Sequence, residues 1–321
     1  MRLAATTVHA LRELGLDLKL DHPLALRTWW RVGGPADAYA VVETVDQVAG
    51  VQRLAEREGF PVFVLGNGSN LLVSDLGVRG LVVQLGGDLA RVQPDQDPTL
   101  LHVGGGLKLA RFVQQAVTHG WTGMEVFAGI PGTIGGAIRM NAGASLGETS
   151  DVLVDATVVR RGGDVTTLSH GDLAFGYRTA AVPDHAIIVS ATLRLREADP
   201  VATFAQMQHF LERRKATQPT DVPTCGSTFR NPPGDFAGRL VEAAGLKGFS
   251  VGGAHVSLVH ANFVENQGGA TADDLRAVIE HMRETVAQHF GVRLVPEVHM
   301  AGDWSHWSAD AHGRFRPSKR S

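Results

Sequence analysis

This chain of 321 residues has little of several features that mark particular classes of protein. Its one cysteine, Cys225, allows no disulfide within the chain, which favours a reducing compartment. No apolar run reaches the length of a membrane span, and the charged N-terminus lacks the apolar core of a signal peptide. The net charge is −3 and no basic face stands out. We therefore expect a cytoplasmic protein that binds neither nucleic acid nor a membrane.

Glycine, by contrast, is abundant, at 38 of 321 residues against a usual share of ~7%. The densest run is Gly129–Ala144, which reads GIPGTIGGAIRMNAGA. A segment so poor in side chains buries little apolar surface, and its glycines cost backbone entropy on folding. Such a run is typical of a place where a flat or charged ligand lies close to the backbone, so we expect a bound cofactor here.

The apolar patterning predicts an α+β protein with several domains. Short apolar runs alternate with turns from residue 38 to 195 and indicate strands, whereas Gln218–Pro233 is rich in Pro and Thr and indicates irregular chain. Leu294–Met300 resembles a last strand, and we expect residues 302–321 to form a disordered tail. Helices are predicted at Val45–Glu58, Leu107–His119, Val201–Arg214, Ala237–Ala244 and Thr271–Phe290.

A second glycine loop, Gly66–Asn70, follows the predicted strand Val62–Leu65. Its glycines permit the positive φ angles of a backbone nest, and its Ser and Asn side chains add donors for a phosphate. Together with Gly129–Ala144 it could form a crevice for a dinucleotide; two tightly packed turns without a ligand are the alternative. The candidate cofactor-binding residues are Gly66, Asn67, Gly68, Ser69, Asn70, Gly129, Ile130, Pro131, Gly132, Gly135, Gly136, Asn141 and Gly143.

Several motifs, taken in order, resemble the UDP-N-acetylenolpyruvoylglucosamine reductase (MurB) family. The resemblance starts with RTWWRVGGPA at 27–36, LGNGSNLL at 65–72 and the run from Gly129 to Gly143. It continues through FGYR at 175–178, CGSTFRNP at 225–232, AAGLKG at 243–248, HANF at 260–263 and PEV at 296–298. It thus spans nearly the whole chain and implies two FAD-binding subdomains of the vanillyl-alcohol-oxidase type, 1–79 and 80–200. A substrate-binding α+β domain, 201–301, would follow.

The resemblance implies a reaction and the residues that carry it. NADPH reduces noncovalently bound FAD, which then reduces the enolpyruvyl ether of UDP-N-acetylglucosamine to UDP-N-acetylmuramate for peptidoglycan. A hydride adds to the vinyl carbon, charge develops beside the carboxylate, and a proton must arrive. Ser227 matches the family's proton donor, Arg178 the arginine that meets the carboxylate, and Glu297 a catalytic glutamate. Without the resemblance, these three residues would be read as a turn serine, a surface arginine and an exposed charge.

Weaker assignments concern substrate binding. Tyr177, Arg178 and Asn231 are candidate substrate contacts, and the basic residues at 213–215 could meet the diphosphate or be a solvated helix end. The stretch from Arg178 to Ser227 is short and has no tyrosine, so the chain resembles the shorter class of the family, which lacks an extra tyrosine-bearing segment. We expect a monomer without a metal. The alternatives are another FAD-dependent oxidoreductase, an alcohol or sugar oxidase on the same fold, and a nonenzymatic flavin- or nucleotide-binding protein.

Overall fold

A computed structural model describes residues 2–144, 146–309 and 315–317. It divides the chain into two units. Unit 1 comprises Met1–Asp21, Asp37–Asn67 and Gly80–Arg214, and unit 2 comprises His22–Ala36, Gly68–Arg79 and Lys215–Ser321. Unit 1 holds most of the two predicted subdomains at 1–79 and 80–200. Unit 2 holds nearly all of the predicted substrate domain, and it also takes two short segments from the first predicted subdomain.

The α+β class is confirmed, and the five predicted helices lie close to their predicted bounds, whereas α1 and α4 were not predicted. Thr44 caps the second helix by accepting a bond from Gln47 N, and Gly59 ends that helix with φ of 72°. Thr271 and Asp274 form a capping box at the start of the last helix. The helices are α1 Ala5–Glu13, α2 Val45–Glu58, α3 Leu109–Thr118, α4 Ile134–Arg139, α5 Pro200–Thr217, α6 Ala237–Ala243 and α7 Ala272–Phe290.

Most of the strands have five residues or fewer, and β2, β5, β11 and β13 have seven or eight. Up to residue 104 they are β1 Lys19–Pro23, β2 Pro35–Val42, β3 Val62–Val64, β4 Leu71–Val73, β5 Val78–Leu85, β6 Val92–Pro94 and β7 Leu100–Gly104. From there to residue 200 they are β8 Trp121–Thr122, β9 Gly143–Ala144, β10 Gly147–Glu148, β11 Leu153–Val159, β12 Val165–Ser169, β13 Ile187–Arg194 and β14 Arg196–Glu197. The remaining ones are β15 Thr224–Ser227, β16 Ser250–Val251, β17 Ala254–Val256, β18 Phe263–Asn266, β19 His299–Ala301, β20 Trp307–Ala309 and β21 Phe315–Pro317.

Unit 1 is built on two sheets. The first has the strand order β1-β2-β5-β3, in which β3 and β5 are parallel, and the second is the antiparallel sheet β12-β11-β13-β7-β6. Helices α1 and α2 contribute Leu11, Val51 and Leu54 to the core of the first sheet. Helices α3 and α4 contribute Phe112 and Ile138 to the core of the second. For α2 and α3, these cores bury the apolar residues on which the predicted helices rested.

Unit 2 is built on the sheet β15-β18-β17-β16, whose neighbouring strands are antiparallel. Helices α6 and α7 contribute Leu240, Leu275 and Ile279 to its core, which also contains the fully buried Trp30. A separate parallel pair joins β4 to β19 in the register Leu71↔His299. This pair places residues that follow the loop 66–70 beside the residues that follow Glu297.

Three sequence predictions differ from the structure. Gln218–Pro233 is not wholly irregular, because Thr224–Ser227 pairs with β18. Of the predicted strand Leu294–Met300, only its end belongs to β19, since Pro296 cannot donate to a ladder. The expected disordered tail contains two paired strands, β20 and β21. Residues 310–314 and 318–321 of that tail lie outside the described residues.

Candidate active site

The glycine run of unit 1 begins as a turn and continues as the short helix α4. Thr133 caps this helix, since its hydroxyl accepts a 3.3 Å bond from Gly136 N. Gly135 N donates to Gly105 O at 2.8 Å, and a Cβ atom on Gly135 would lie 3.1 Å from that oxygen. The protein's own backbone therefore requires at least one glycine of the run, whatever ligand the run also admits.

Thr133 also marks where the two predicted cofactor loops meet within unit 1. A Cβ atom on Gly66 would lie 3.0 Å from Thr133 Oγ1, closer than most Cβ contacts. The sequence predicted that the loops form one crevice, and in the structure Gly66 lies next to Thr133 of the glycine run. Thr133 itself was missed, although a threonine directly before an apolar helical residue is a common N-cap signal.

Peptide orientation in Gly66–Asn70 suits a phosphate. In unit 1, Gly66 O accepts a 2.9 Å bond from Gln84 Nε2. Because a trans peptide points its N–H opposite to its C=O, Asn67 N–H is directed away from Gln84. In unit 2, Gly68 O accepts a bond from Trp29 N, which directs Ser69 N–H away from that tryptophan. Backbone N–H groups of a glycine-rich loop that point away from such internal partners are typical of phosphate-binding nests.

Other predicted cofactor residues have defined places in unit 1. Ile130 N donates to Phe127 O at 2.8 Å, and Gly132 O accepts from Leu109 N at 3.0 Å. Pro131, between them, is half-buried. Gly129 has φ of 74°, and a Cβ atom there would lie 2.9 Å from Arg214 Cδ. The turn is thus poor in side-chain atoms, as the sequence predicted.

Asn141, a predicted cofactor contact, also has partners within the protein. Its side chain is fully buried, its Nδ2 donates to Gly176 O at 3.2 Å, and its Oδ1 accepts from Ser150 N at 3.0 Å. The amide therefore bonds to the protein's own backbone. It ties the glycine run to the chain just before Tyr177 and Arg178.

Arg178 contacts the end of the glycine run through its side chain. Its φ is 58°, a left-handed conformation that is uncommon outside glycine and concentrates at functional sites. Its Nη2 donates to Gly143 O at 3.0 Å, and its guanidinium lies 5.3 Å from the ring centroid of Tyr177. Tyr177 is 51% exposed. Gly143, another predicted cofactor residue, therefore serves to hold the arginine.

A second guanidinium lies near Arg178. Burial lowers the pKa of Arg214, and the charge of Arg178 lowers that pKa further. Two arginines that repel each other in a half-buried setting make a good receptor for an anion, because the anion relieves the repulsion.

Ser227 lies at the end of β15 in unit 2, where the strand contains a bulge. The register runs from Thr224↔Glu265 to Ser227↔Phe263, so one extra residue is accommodated, and Gly226 has φ of 77°. Bulges of this kind redirect the side chains that follow them. Ser227 itself is half-buried, which leaves its hydroxyl within reach of a ligand.

Glu297 lies beside the Ser227 segment. Its backbone N donates to Thr228 O at 2.8 Å, and Phe229 and Pro296 form an isolated bridge. Asn70 Nδ2 donates to Glu297 O at 3.1 Å. Unit 2 therefore brings together three residues that the sequence assigned to the site from distant positions: Asn70, Ser227 and Glu297. Arg178 belongs to unit 1.

Two residues on either side of Ser227, Cys225 and Asn231, also have partners within the protein. Cys225 is buried, and burial raises the pKa of its thiol to about 12, so the thiolate that attacks electrophiles does not form at neutral pH. Its Sγ lies 3.5 Å from Leu71 O. Asn231, a predicted substrate contact, accepts a 3.0 Å bond from Ala237 N at the start of α6 and is exposed.

The described part of the chain contains no group of three or more His, Cys, Asp or Glu side chains placed to hold a metal ion. Among the same residues, no helix has both the length and the apolar character that crossing a membrane requires.

Comparison with known proteins identifies first the class and then the family. Residues 36–169 match the FAD-binding domain family, so the chain is a flavoprotein. Residues 218–301 match the C-terminal domain of UDP-N-acetylenolpyruvoylglucosamine reductase. A relative of that name from Symbiobacterium thermophilum is 45% identical over 290 residues, covering 90% of this chain and 92% of its own. Another, from Bacillus velezensis, is 41% identical over 293 residues, covering 91% and 96%.

A solved structure agrees with these sequence relatives. The crystal structure of the reductase (MurB) from Thermus caldophilus has a TM-score of 0.77 and 35% identity, covering 89% of this chain and 98% of its own. The chain belongs to the UDP-N-acetylenolpyruvoylglucosamine reductase (MurB) family. It is a flavoenzyme of peptidoglycan precursor synthesis, a UDP-N-acetylmuramate dehydrogenase that uses FAD and NADPH. The family resemblance is thereby confirmed, and the assignment decides against the oxidase and nonenzymatic alternatives.

Proposed function

We propose that Ser227, Arg178 and Glu297 carry out the reduction of UDP-N-acetylglucosamine enolpyruvate. Bound FAD supplies the hydride transfer between NADPH and the enolpyruvyl group. Ser227 donates the proton to the carbon that bears the carboxylate. Arg178 binds the carboxylate with two parallel hydrogen bonds and keeps its charge throughout. Glu297 orients the polar groups that surround the Ser227 hydroxyl.

The observation that carries this proposal is the pairing of the Ser227 and Glu297 segments. The bond from Glu297 N to Thr228 O has a length of 2.8 Å and lies one residue beyond Ser227. A weak acid such as a serine hydroxyl can donate only when its position is fixed relative to the reacting carbon and its own partners. The two segments provide that fixed position.

The substrate's negative charges find partners in unit 1. Arg178 lies near the half-buried Arg214, whose pKa is lowered by burial and by Arg178 itself. The carboxylate binds Arg178, and the diphosphate of the UDP moiety binds the basic residues around Arg214. Tyr177 and Asn231 complete the substrate contacts. The Oδ1 of Asn231 accepts a bond from Ala237 N, which fixes the position of the side chain.

FAD is held noncovalently in this proposal. The two glycine loops contain no histidine or cysteine that could form a covalent bond to the flavin. The one cysteine of the chain, Cys225, is buried with a pKa raised to about 12. Membership of the shorter class, a monomeric state and a cytoplasmic location stay predictions.

An assay with the proposed substrate tests the proposal. We expect purified protein to show flavin absorbance and to oxidise NADPH only when UDP-N-acetylglucosamine enolpyruvate is present, with UDP-N-acetylmuramate detected by mass spectrometry. Denaturation should release the flavin from the polypeptide. Oxygen consumption with sugars or alcohols, and no dependence on the enolpyruvyl substrate, would contradict the proposal.

A further inference from the structure

The chain that carries Ser227 leaves its sheet just after the bulge at Gly226. Thr228 N still donates to Asn262 O at 2.7 Å, but the next residue no longer has a backbone partner on β18. Instead, Phe229 N donates to Asn262 Oδ1 at 3.1 Å, and Asn262 Nδ2 donates to Phe229 O at 2.9 Å. The side-chain amide of Asn262 thus takes the place of a neighbouring strand's backbone groups at Phe229, two residues after Ser227.

Asn262 is suited to hold this segment without moving. It is 3% exposed, and its own backbone N donates to His260 Nδ1 at 3.1 Å. Only an amide of this length offers one donor and one acceptor to the two backbone groups of Phe229. Water cannot compete for these bonds, because both partners are buried.

We propose that Asn262 is a positioning residue for proton transfer: its side-chain amide fixes Phe229 and thereby orients the Ser227 hydroxyl. The inference rests on the proposed role of Ser227 as proton donor. Asn262 acts through the backbone and touches no substrate. Displacement of a reacting group by about 1 Å costs roughly a hundredfold in rate, so loosening this clamp should slow the proton-dependent half-reaction alone.

The test replaces Asn262 with aspartate and compares it with a matched variant. N262D keeps the size of the side chain and the acceptor for Phe229 N, but an ionised carboxylate cannot donate to Phe229 O and repels it. Asn266 is the last residue of β18, the strand that begins directly after Asn262, and it is 8% exposed. Its Nδ2 donates to Trp30 O at 2.8 Å, and its Oδ1 accepts from Gly268 N. N266D therefore breaks an equivalent buried bond away from Ser227.

Two half-reactions are measured in stopped flow: bleaching of the flavin by NADPH, and its reoxidation by the enolpyruvyl substrate. We expect N262D to slow reoxidation by about a hundredfold at high pH and to leave bleaching unchanged. N266D should lower the melting temperature about as much as N262D does, but it should slow neither half-reaction. Equal losses in both half-reactions, or the same losses in N266D, would overturn the inference.

The pH dependence adds a readout that a general loss of stability would not move. Burial and the Phe229 carbonyl raise the pKa of an aspartate at 262, and its protonated form can donate as the amide does. Reoxidation by N262D should therefore recover relative to the native enzyme as pH falls. The titratable neighbour is His260, next to Glu242 and Lys247, and burial lowers its pKa. A pH-independent ratio overturns the inference.

The same experiment separates this inference from the proposed function. If S227A reoxidises as fast as the native enzyme, Ser227 is not the proton donor and both fall. If S227A loses reoxidation while N262D retains it at every pH, the proposed function stands and the positioning role of Asn262 is wrong.

Discussion

Glu297 donates its backbone amide to the carbonyl oxygen of Thr228 over 2.8 Å, directly beside Ser227. Glu297 and Thr228, which are 69 positions apart in the sequence, are thus neighbours in unit 2. The glycine loop joins them through Asn70 Nδ2, which donates to Glu297 O at 3.1 Å. A segment expected to bind the cofactor and a segment expected to catalyse proton transfer are therefore fixed to each other within one unit.

Replacing Ser227 with alanine should separate the two half-reactions. We expect S227A to retain flavin bleaching by NADPH, which needs no proton from Ser227. Reoxidation by the enolpyruvyl substrate should slow by about 10²–10⁴, measured by stopped flow. S250A, an exposed serine on the same sheet, is the control and should behave as the native enzyme. Normal turnover by S227A would remove this residue from the mechanism.

Arg178→Lys should weaken the enzyme even though the charge is kept. A lysine ammonium cannot make two parallel bonds to a carboxylate, and Gly143 O loses its 3.0 Å guanidinium bond. We expect kcat/KM to fall by roughly ten- to a hundredfold, from the loss of about 1.5–3 kcal/mol of charged hydrogen bonding. Steady-state kinetics with the enolpyruvyl substrate measure this. Arg196→Lys, at an exposed position on β14, is the control, and equal kinetics for both variants would contradict the assignment.

Cys225 should be chemically silent in the native protein. A thiol-specific reagent should label it only after unfolding, and C225A should keep its turnover. Burial raises the pKa of Cys225 from 9.0 to about 12, so above pH 9 the unfolded chain loses a proton that the folded chain keeps. Rising pH therefore favours unfolding. Above pH 9 the native protein should lose stability faster than C225A, by about 1 kcal/mol per pH unit, in urea titrations. Rapid labelling of the native protein would refute this.

Sequence reasoning predicted well where the signal was local. Helix α7 was placed within one residue, because an N-cap threonine, two acidic residues in the first turn and an apolar stripe all agree. The meeting of Gly66 with the glycine run was likewise predicted from composition. The roles of Ser227 and Glu297 came only from resemblance, since a serine in a loop and a glutamate after a proline have no local signature of chemistry.

The residues that hold the site could not be predicted from the sequence. Asn141 was predicted as a cofactor contact, and the sequence did not show that its amide also bonds to the backbone at Gly176 and Ser150. Asn262 received no role at all. Both depend on backbone partners that only the tertiary fold brings near, and an asparagine in a loop is equally typical of a turn. Side chains that clamp backbone from a distance carry no periodic signal.

The C-terminal segment that was expected to be disordered should instead stabilise α7. Trp307 is 6% exposed, its Nε1 donates to Asp273 at 2.8 Å, and the guanidinium of Arg276 lies 4.4 Å from its ring centroid. We expect W307A to lower the free energy of unfolding by about 3–5 kcal/mol, measured by urea titration. W307F keeps a ring for Arg276 but loses the N–H. We expect it to lower the free energy of unfolding by about 1 kcal/mol.

The control for this prediction is Trp29, which is 44% exposed and should tolerate alanine with a much smaller loss. If the segment were only loosely attached, W307A and W29A would have similar stability, and W307F would match the native protein. If W307A is less stable than W307F, and W29A is closest in stability to the native protein, then the ring and the N–H of Trp307 each contribute to stability. The indole N–H contributes through Asp273 in the first turn of α7, whose following residues form the core beside the Ser227 sheet. Loss of this contact should therefore lower the unfolding free energy without separating the two half-reactions, which distinguishes Trp307 from Ser227 and Asn262.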